Sequence, residues 1–267
     1  MSPFRLLRLL ALTFLASACL LLLAPLPATA GEASEVGIVL MHGKWGSPNR
    51  NIDQLADSLR NAGYKVSTPE MPWSLSHSYD KSFEQAMAQI DFTVAVLKAN
   101  GAKRIIVAGH SLGANAALAY GAHHPGLLGV MAIAPGHTPE LPDFRVRMAD
   151  KLEEAKAKLA SGHGDEAVTF TDLNQGRMKS ITLSAAIFVS YFDPNGLANM
   201  PANAAHQSAP TLVVAGTDDR LTGLGQDYLF NRLPPDNRNR YLLVEAGHLE
   251  TPTVAKGQIV EWVESIR

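Results

Sequence analysis

Residues 104–113, Arg104-Ile105-Ile106-Val107-Ala108-Gly109-His110-Ser111-Leu112-Gly113, decide the fold. Arg104–Ala108 is the most strand-like stretch of the chain. It runs directly into a Gly-x-Ser-x-Gly pattern, and an Ala-rich segment of helical character follows to about His123. A serine hydroxyl is a weak nucleophile, so it must be exposed to a base and aimed at its target. A sharp strand-to-helix turn does both, holding the serine in a strained conformation that needs small residues two positions to either side. The turn also sets Ser111 at a helix amino terminus, where the Leu112 N–H can meet a developing oxyanion. The bare pattern arises by chance; the strand before it and the helix after it are what the mechanism demands.

Outward from this turn, strands and helices alternate. Val36–Met41 is a continuous apolar run ending in His42-Gly43, which reads as a buried parallel strand and a loop. A helix is expected over Asn51–Asn61 with Gly63 as its stop, a short strand over Lys65–Thr68, and a helix through Phe83, Met87, Ile90, Val94 and Leu97. Further strands are expected at Leu128–Ala134, Thr211–Ala215 and Arg240–Val244, with a short helix at Gln226–Leu233 and a final one around Ile259 and Val263. Such alternation implies a mainly parallel sheet covered on both faces. Between Ala134 and Thr211 it fails: Phe144–Leu159 reads as an amphipathic helix, Val168–Phe170 as weakly strand-like, and Met178–Phe192 as either. This stretch is expected to be an insertion lying over the sheet edge.

A serine nucleophile needs a base, expected in a loop after the last strand, and His248 follows Arg240–Val244 in Glu245-Ala246-Gly247-His248. The orienting acid belongs after the preceding strand, where Gly216-Thr217-Asp218-Asp219 stands. The order Ser111, Asp219, His248 is the serine–acid–histidine order of one fold and differs from the two other serine-protease orders.

With these residues in place, the chain resembles the α/β-hydrolase superfamily over about Val36–Arg267. The resemblance implies an α/β fold with about six parallel strands, helices on both faces and a cap formed by about residues 135–210. The antiparallel first two strands usual in the family are missing, as in its compact lipases and esterases. The family's G-x-x-D-x pattern maps onto Gly216 and Asp219, with Asp218 as the alternative acid. Its His-Gly loop maps onto His42-Gly43, which makes the Lys44 N–H the second oxyanion donor beside Leu112. His42 and His110 read as packing groups. Trp45, Trp73 and His137 belong to loops at the carboxyl edge of the sheet, where ligands of such folds bind, and are candidates for lining the substrate pocket. The two tryptophans would serve equally well as hydrophobic plugs. Tyr191-Phe192-Asp193-Pro194-Asn195-Gly196 reads as a turn.

The implied activity is hydrolysis of a carboxylic ester or related acyl bond through an acyl-enzyme, on a small-molecule substrate. Peptidase, thioesterase and acyltransferase chemistry, and more remotely carbon–carbon bond hydrolysis, could use the same three residues; a silent fold serving as a binding module is the alternative outside catalysis. Serine at the turn argues against the family's dehalogenases and epoxide hydrolases, which attack with Asp.

Composition narrows the partners. The 267 residues are 46% hydrophobic and 18% charged with net charge −2, which suits one packed domain and argues against disorder or a polyanion partner. No metal-binding spacing or phosphate-binding glycine loop appears, so no cofactor is expected. Arg5 and Arg8, an apolar run from Leu9 to Leu23 and Ala28-Thr29-Ala30 have the three parts of a secretory signal peptide. The expectation is residues 1–30 cleaved, 31–267 exported to periplasm or medium, and no membrane span retained. A lipoprotein anchored through Cys19 is the lesser variant. Cleavage would remove Arg5, Arg8 and the single Cys, taking the net charge from −2 to −4. The sequence leaves the oligomeric state and acyl-chain length open.

Overall fold

The computed structural model describes residues 33–267, so the expected leader and Cys19 lie outside the described residues. Six strands form one sheet in the order β2-β1-β3-β4-β7-β8. They are β1 (Val36–Met41), β2 (Lys65–Ser67), β3 (Arg104–Ser111), β4 (Gly129–Pro135), β7 (Thr211–Gly216) and β8 (Arg240–Val244). Every pairing in this sheet is parallel. The fold is α/β, a six-stranded parallel sheet between two helical layers, as the alternation predicted.

The central strands are apolar throughout because both of their faces are covered. Alternate residues feed opposite cores. Val39, Met41, Val107, Val130, Ala132 and Val213 pack on one side with the helices Phe83–Ala99 and Leu112–His123. Ile38, Leu40, Ile106, Met131, Ile133 and Leu212 pack on the other with Asp53–Asn61 and the C-terminal helix Lys256–Ile266. Each large aliphatic side chain so buried contributes roughly 1.5–3 kcal/mol. Gly129 lets the C-terminal helix sit close, since a Cβ there would come within 2.7 Å of Ile266 and 2.9 Å of Trp262.

Between β4 and β7 the chain leaves the sheet. It forms a long helix (Pro142–Ala160), an antiparallel hairpin of β5 (Ala167–Asn174) and β6 (Arg177–Ser184), and the helices Ala185–Phe192 and Met200–Ala204. The hairpin is longer than Val168–Phe170 suggested. Its turn uses Gln175 at φ 49° and Gly176 at φ 75°, the doubly positive pair that suits the twist of a two-residue hairpin. Met178–Phe192, ambiguous in sequence, divides at Ser184, whose hydroxyl accepts from Ile187 N and starts the helix. Residues 193–196 form the expected turn, closed by the Gly196 N–H on the Asp193 carbonyl.

One expected element is corrected. Gln226–Leu233 is not a helix but two 3-10 turns, Gln226–Tyr228 and Phe230–Arg232. Leu229 interrupts them at φ −135° and buries its side chain to 3% exposure. Turning Leu229 into the core in this way breaks the helical run between the two turns.

Candidate active site

β3 passes into the helix Leu112–His123 with no intervening residue, and Ser111 takes the strain at φ 57°, ψ −121°. No β-carbon fits two positions away. At Gly109 one would stand 2.0 Å from the Gly113 carbonyl oxygen, and at Gly113 2.7 Å from that of Met41. The two glycines therefore allow strand, turn and helix to close on one another, and the turn lifts Ser111 to the carboxyl edge of the sheet.

His248 and Asp219 come to the same edge on neighbouring loops. Backbone bonds lace these loops together, Thr217 N to Val244 O at 2.9 Å and Asp218 N to Ala246 O at 3.1 Å. His248 Nδ1–H donates to Asp219 Oδ2 at 2.6 Å, with both side chains 6% exposed. That bond leaves Nε2 as the free acceptor. The other carboxylate oxygen of Asp219 accepts from Leu221 N at 3.3 Å. Asp218, the alternative acid, is exposed and points its carboxylate at Thr217 instead. Ser111 Oγ and His248 Nε2 flank one gap, lying 2.8 and 3.2 Å from the point where a Cβ on Gly136 would stand. His110, next to Ser111, donates from Nε2 to the His248 carbonyl at 2.9 Å. Burial pushes its imidazole pKa down to about 3, so it stays neutral and fixed in that role.

The loop after β1 runs beside Ser111. His42 donates from Nδ1 to Gly43 O at 2.8 Å and accepts at Nε2 from Met71 N at 3.0 Å, which makes it a loop strut. Burial lowers its pKa too. The next peptide is held from the insertion. Asn174 Nδ2 donates to Lys44 O at 2.9 Å, while Lys44 Nζ donates to Asp172 Oδ1 at 2.8 Å. Asp172 also accepts from Tyr79 OH at 3.0 Å and from its own neighbour, Leu173 N, at 2.9 Å. Lys44 and Asp172 are 7% and 1% exposed, an ion pair shielded from water. No protein acceptor among the described residues takes the Lys44 N–H.

A cavity of about 290 Å³ joins these groups, lined by Ser111, His248, Asp219, Lys44, Leu112 and His137, with further wall from the Pro142–Ala160 helix and the hairpin turn. A larger cavity, about 530 Å³ between that helix and Phe192–Asn195, contains none of Ser111, Asp219 and His248. The smaller one is therefore the candidate site. His137 is the only sequence-proposed pocket residue that reaches it. Its Nε2–H donates to Tyr191 O at 2.7 Å, and burial followed by the nearby Lys44 charge holds its pKa at about 3. Trp73 is instead a plug, fully buried against Phe83 and Tyr191 with its N–H on the His42 carbonyl at 2.8 Å. Trp45 packs partly buried on the same apolar core and does not line the cavity. Both rings face the core, and the loops that carry them are joined by the Trp45 backbone N–H on the Trp73 carbonyl at 2.9 Å.

The profile of the family described as serine aminopeptidase, S33, matches residues 33–249. The chain belongs to this α/β-hydrolase family. Among solved structures, the monoacylglycerol lipase of Paleococcus ferrophilus is similar at 22% identity and TM-score 0.59, over 86% of this chain and 95% of that one. The thioesterase domain from the curacin biosynthetic pathway is similar at 16% identity and TM-score 0.59, over 87% and 92%. Est1E from Butyrivibrio proteoclasticus is similar at 16% and 0.59, over 86% and 85%. At such identities the likeness is one of fold. No curated protein matches the chain in sequence.

Within this α/β-hydrolase site, sequence reading missed Asp172 and Asn174. Asp172 holds the third inward position of β5, after Val168 and Phe170, and a carboxylate there broke the apolar alternation by which strands are recognised. The tether from His110 to His248 carried no signal, because it spans 138 residues.

Proposed function

We propose that this chain is a serine hydrolase that cleaves a carboxylic ester or closely related acyl bond. Ser111 Oγ attacks the carbonyl while His248 Nε2 takes its proton, and Asp219 holds the imidazole in the required tautomer and stabilises its cation. The N–H groups of Lys44 and Leu112 receive the tetrahedral oxyanion. His248 then protonates the leaving group and activates water, which releases the acid and restores the serine. The observation that carries this reading is the bonded His248–Asp219 pair facing the strained Ser111 across the Gly136 gap. The lipase, thioesterase and esterase named among the structural neighbours support the acyl-transfer class.

An aminopeptidase, the activity in the family's name, has to hold a substrate ammonium. Among the described residues, the only carboxylate lining the cavity is Asp219, which His248 already occupies, so the ester reading is preferred. We also read residues 1–30 as an export signal, which would put the enzyme outside the cytoplasm. The test is turnover of 4-nitrophenyl esters of increasing acyl length by purified protein. The expected result is cleavage with a chain-length optimum, reduced roughly 10³-fold or more by Ser111→Ala. A folded protein whose ester cleavage survives Ser111→Ala contradicts the reading.

A further inference from the structure

Two pockets reach Ser111. The walls of the 290 Å³ cavity include Arg147 and Arg220, and a second, much smaller pocket of about 20 Å³ includes Arg50 with Gly43 and Leu249. Among the described residues, every Lys, Arg, Asp or Glu lining either space is cationic except Asp219, which is spent on His248. Lys44 is neutralised by Asp172, but Arg50, Arg147 and Arg220 have no carboxylate partner among the described residues. Arg147 is steered toward the cavity by its own helix. Its Nε–H donates to Asp143 O at 3.3 Å, and its guanidinium lies 5.4 Å over Phe144, whose ring is part of the cavity wall.

This clustering runs against the molecule's overall charge. The chain has 25 acidic and 23 basic residues, so a random surface patch would contain both signs with a slight acidic excess. A cleft rimmed by one sign of charge concentrates ligands of the other and orients them as they enter. Guanidinium groups do so with a planar fork that fits carboxylate or phosphate oxygens.

We propose that the substrate of Ser111 is an anionic ester, carrying a carboxylate or similar oxyanion a few atoms from the scissile carbonyl. Arg147 and Arg220 would hold that charge on the cavity side while the carbonyl sits between Ser111 and the Lys44 and Leu112 amides. This rests on the esterase reading above and adds the charge of its substrate.

The test compares kcat/KM for three 4-nitrophenyl esters of similar length: the hemiglutarate (anionic), the pentanoate (neutral) and 4-trimethylammoniobutanoate (cationic), each corrected for spontaneous hydrolysis. The expected order is anionic, neutral, cationic, with roughly tenfold or more between the first and second at low ionic strength, shrinking as salt is added. In Arg147→Gln/Arg220→Gln the anionic-to-neutral ratio falls toward one. Lys98→Gln, which removes a charge from an exposed helix end near the opposite edge of the sheet, keeps the ratio. A neutral ester preferred by the unaltered protein overturns the proposal, and so does a ratio that the double substitution leaves in place. In both of those outcomes Ser111-dependent turnover persists and the esterase reading stands. Absence of turnover with all three esters overturns that reading and this proposal together.

Discussion

Gly136 occupies the narrowest point of the proposed machinery. A methyl group there would lie 2.8 Å from both Ser111 Oγ and His248 Cε1. The residue sits at the exposed end of β4, so the added methyl has no core to disrupt and acts only on the reacting pair. Gly136→Ala is therefore expected to lower kcat by about 10²-fold, the scale of effect for a misplacement near 1 Å, while the thermal midpoint stays within a few degrees. Unchanged ester turnover in that variant would mean that Ser111 and His248 do not work across this gap. That Ser111, Asp219 and His248 come together at one edge of the sheet was legible in the sequence, because each follows its own strand and the strand order fixes where the loops emerge. Trp73 was not. A large aromatic in an edge loop can face ligand or core, and its N–H bond to His42 O, which decides for the core, is a contact between separate loops.

At the scale of elements, the β5–β6 hairpin is tied to the loop after β1 by a buried ion pair and by a hydrogen bond from the Asn174 amide to the Lys44 carbonyl. Removing one partner of such a pair strands the other charge away from water, at a cost of about 3–5 kcal/mol, whereas replacing both with apolar residues is often neutral. Asp172→Ala should accordingly lower unfolding free energy in urea by about that amount, and Lys44→Met/Asp172→Leu should recover most of it. A loss under about 1 kcal/mol in the single variant would show that water reaches the ammonium and that the hairpin is not held down there. The double variant also separates two roles of Lys44, because its backbone N–H remains while its side chain no longer secures the loop. The helix Pro142–Ala160 was readable from its periodicity, but the hairpin was not. One of the three inward side chains of β5 is Asp172, paired with residues 93 and 128 positions away.

For the whole molecule, burial sets the response to acid. His110 and His137 are each held at about 3, against an ordinary value near 6.5. Both remain neutral in the folded protein and take up protons on unfolding below that ordinary value. Their contribution to stability is thus complete above about pH 6.5 and is lost as the pH falls toward about 3, at about 1.4 kcal/mol per pH unit for each. Urea unfolding between about pH 7 and pH 4 should show this decline, and a flat curve would contradict the buried, neutral state of both rings. The parallel six-stranded core was legible at this scale because its strands are apolar on both faces. The insertion was legible mainly as an interruption, since its polar contacts are made to distant parts of the chain. The central claim, a nucleophilic Ser111 activated by His248, has a direct chemical readout. Fluorophosphonate treatment followed by peptide mass analysis should place a single phosphonyl adduct on Ser111, absent from Ser111→Ala and strongly slowed in His248→Ala. A well-folded protein that takes no adduct, or takes it at another serine, would contradict the account.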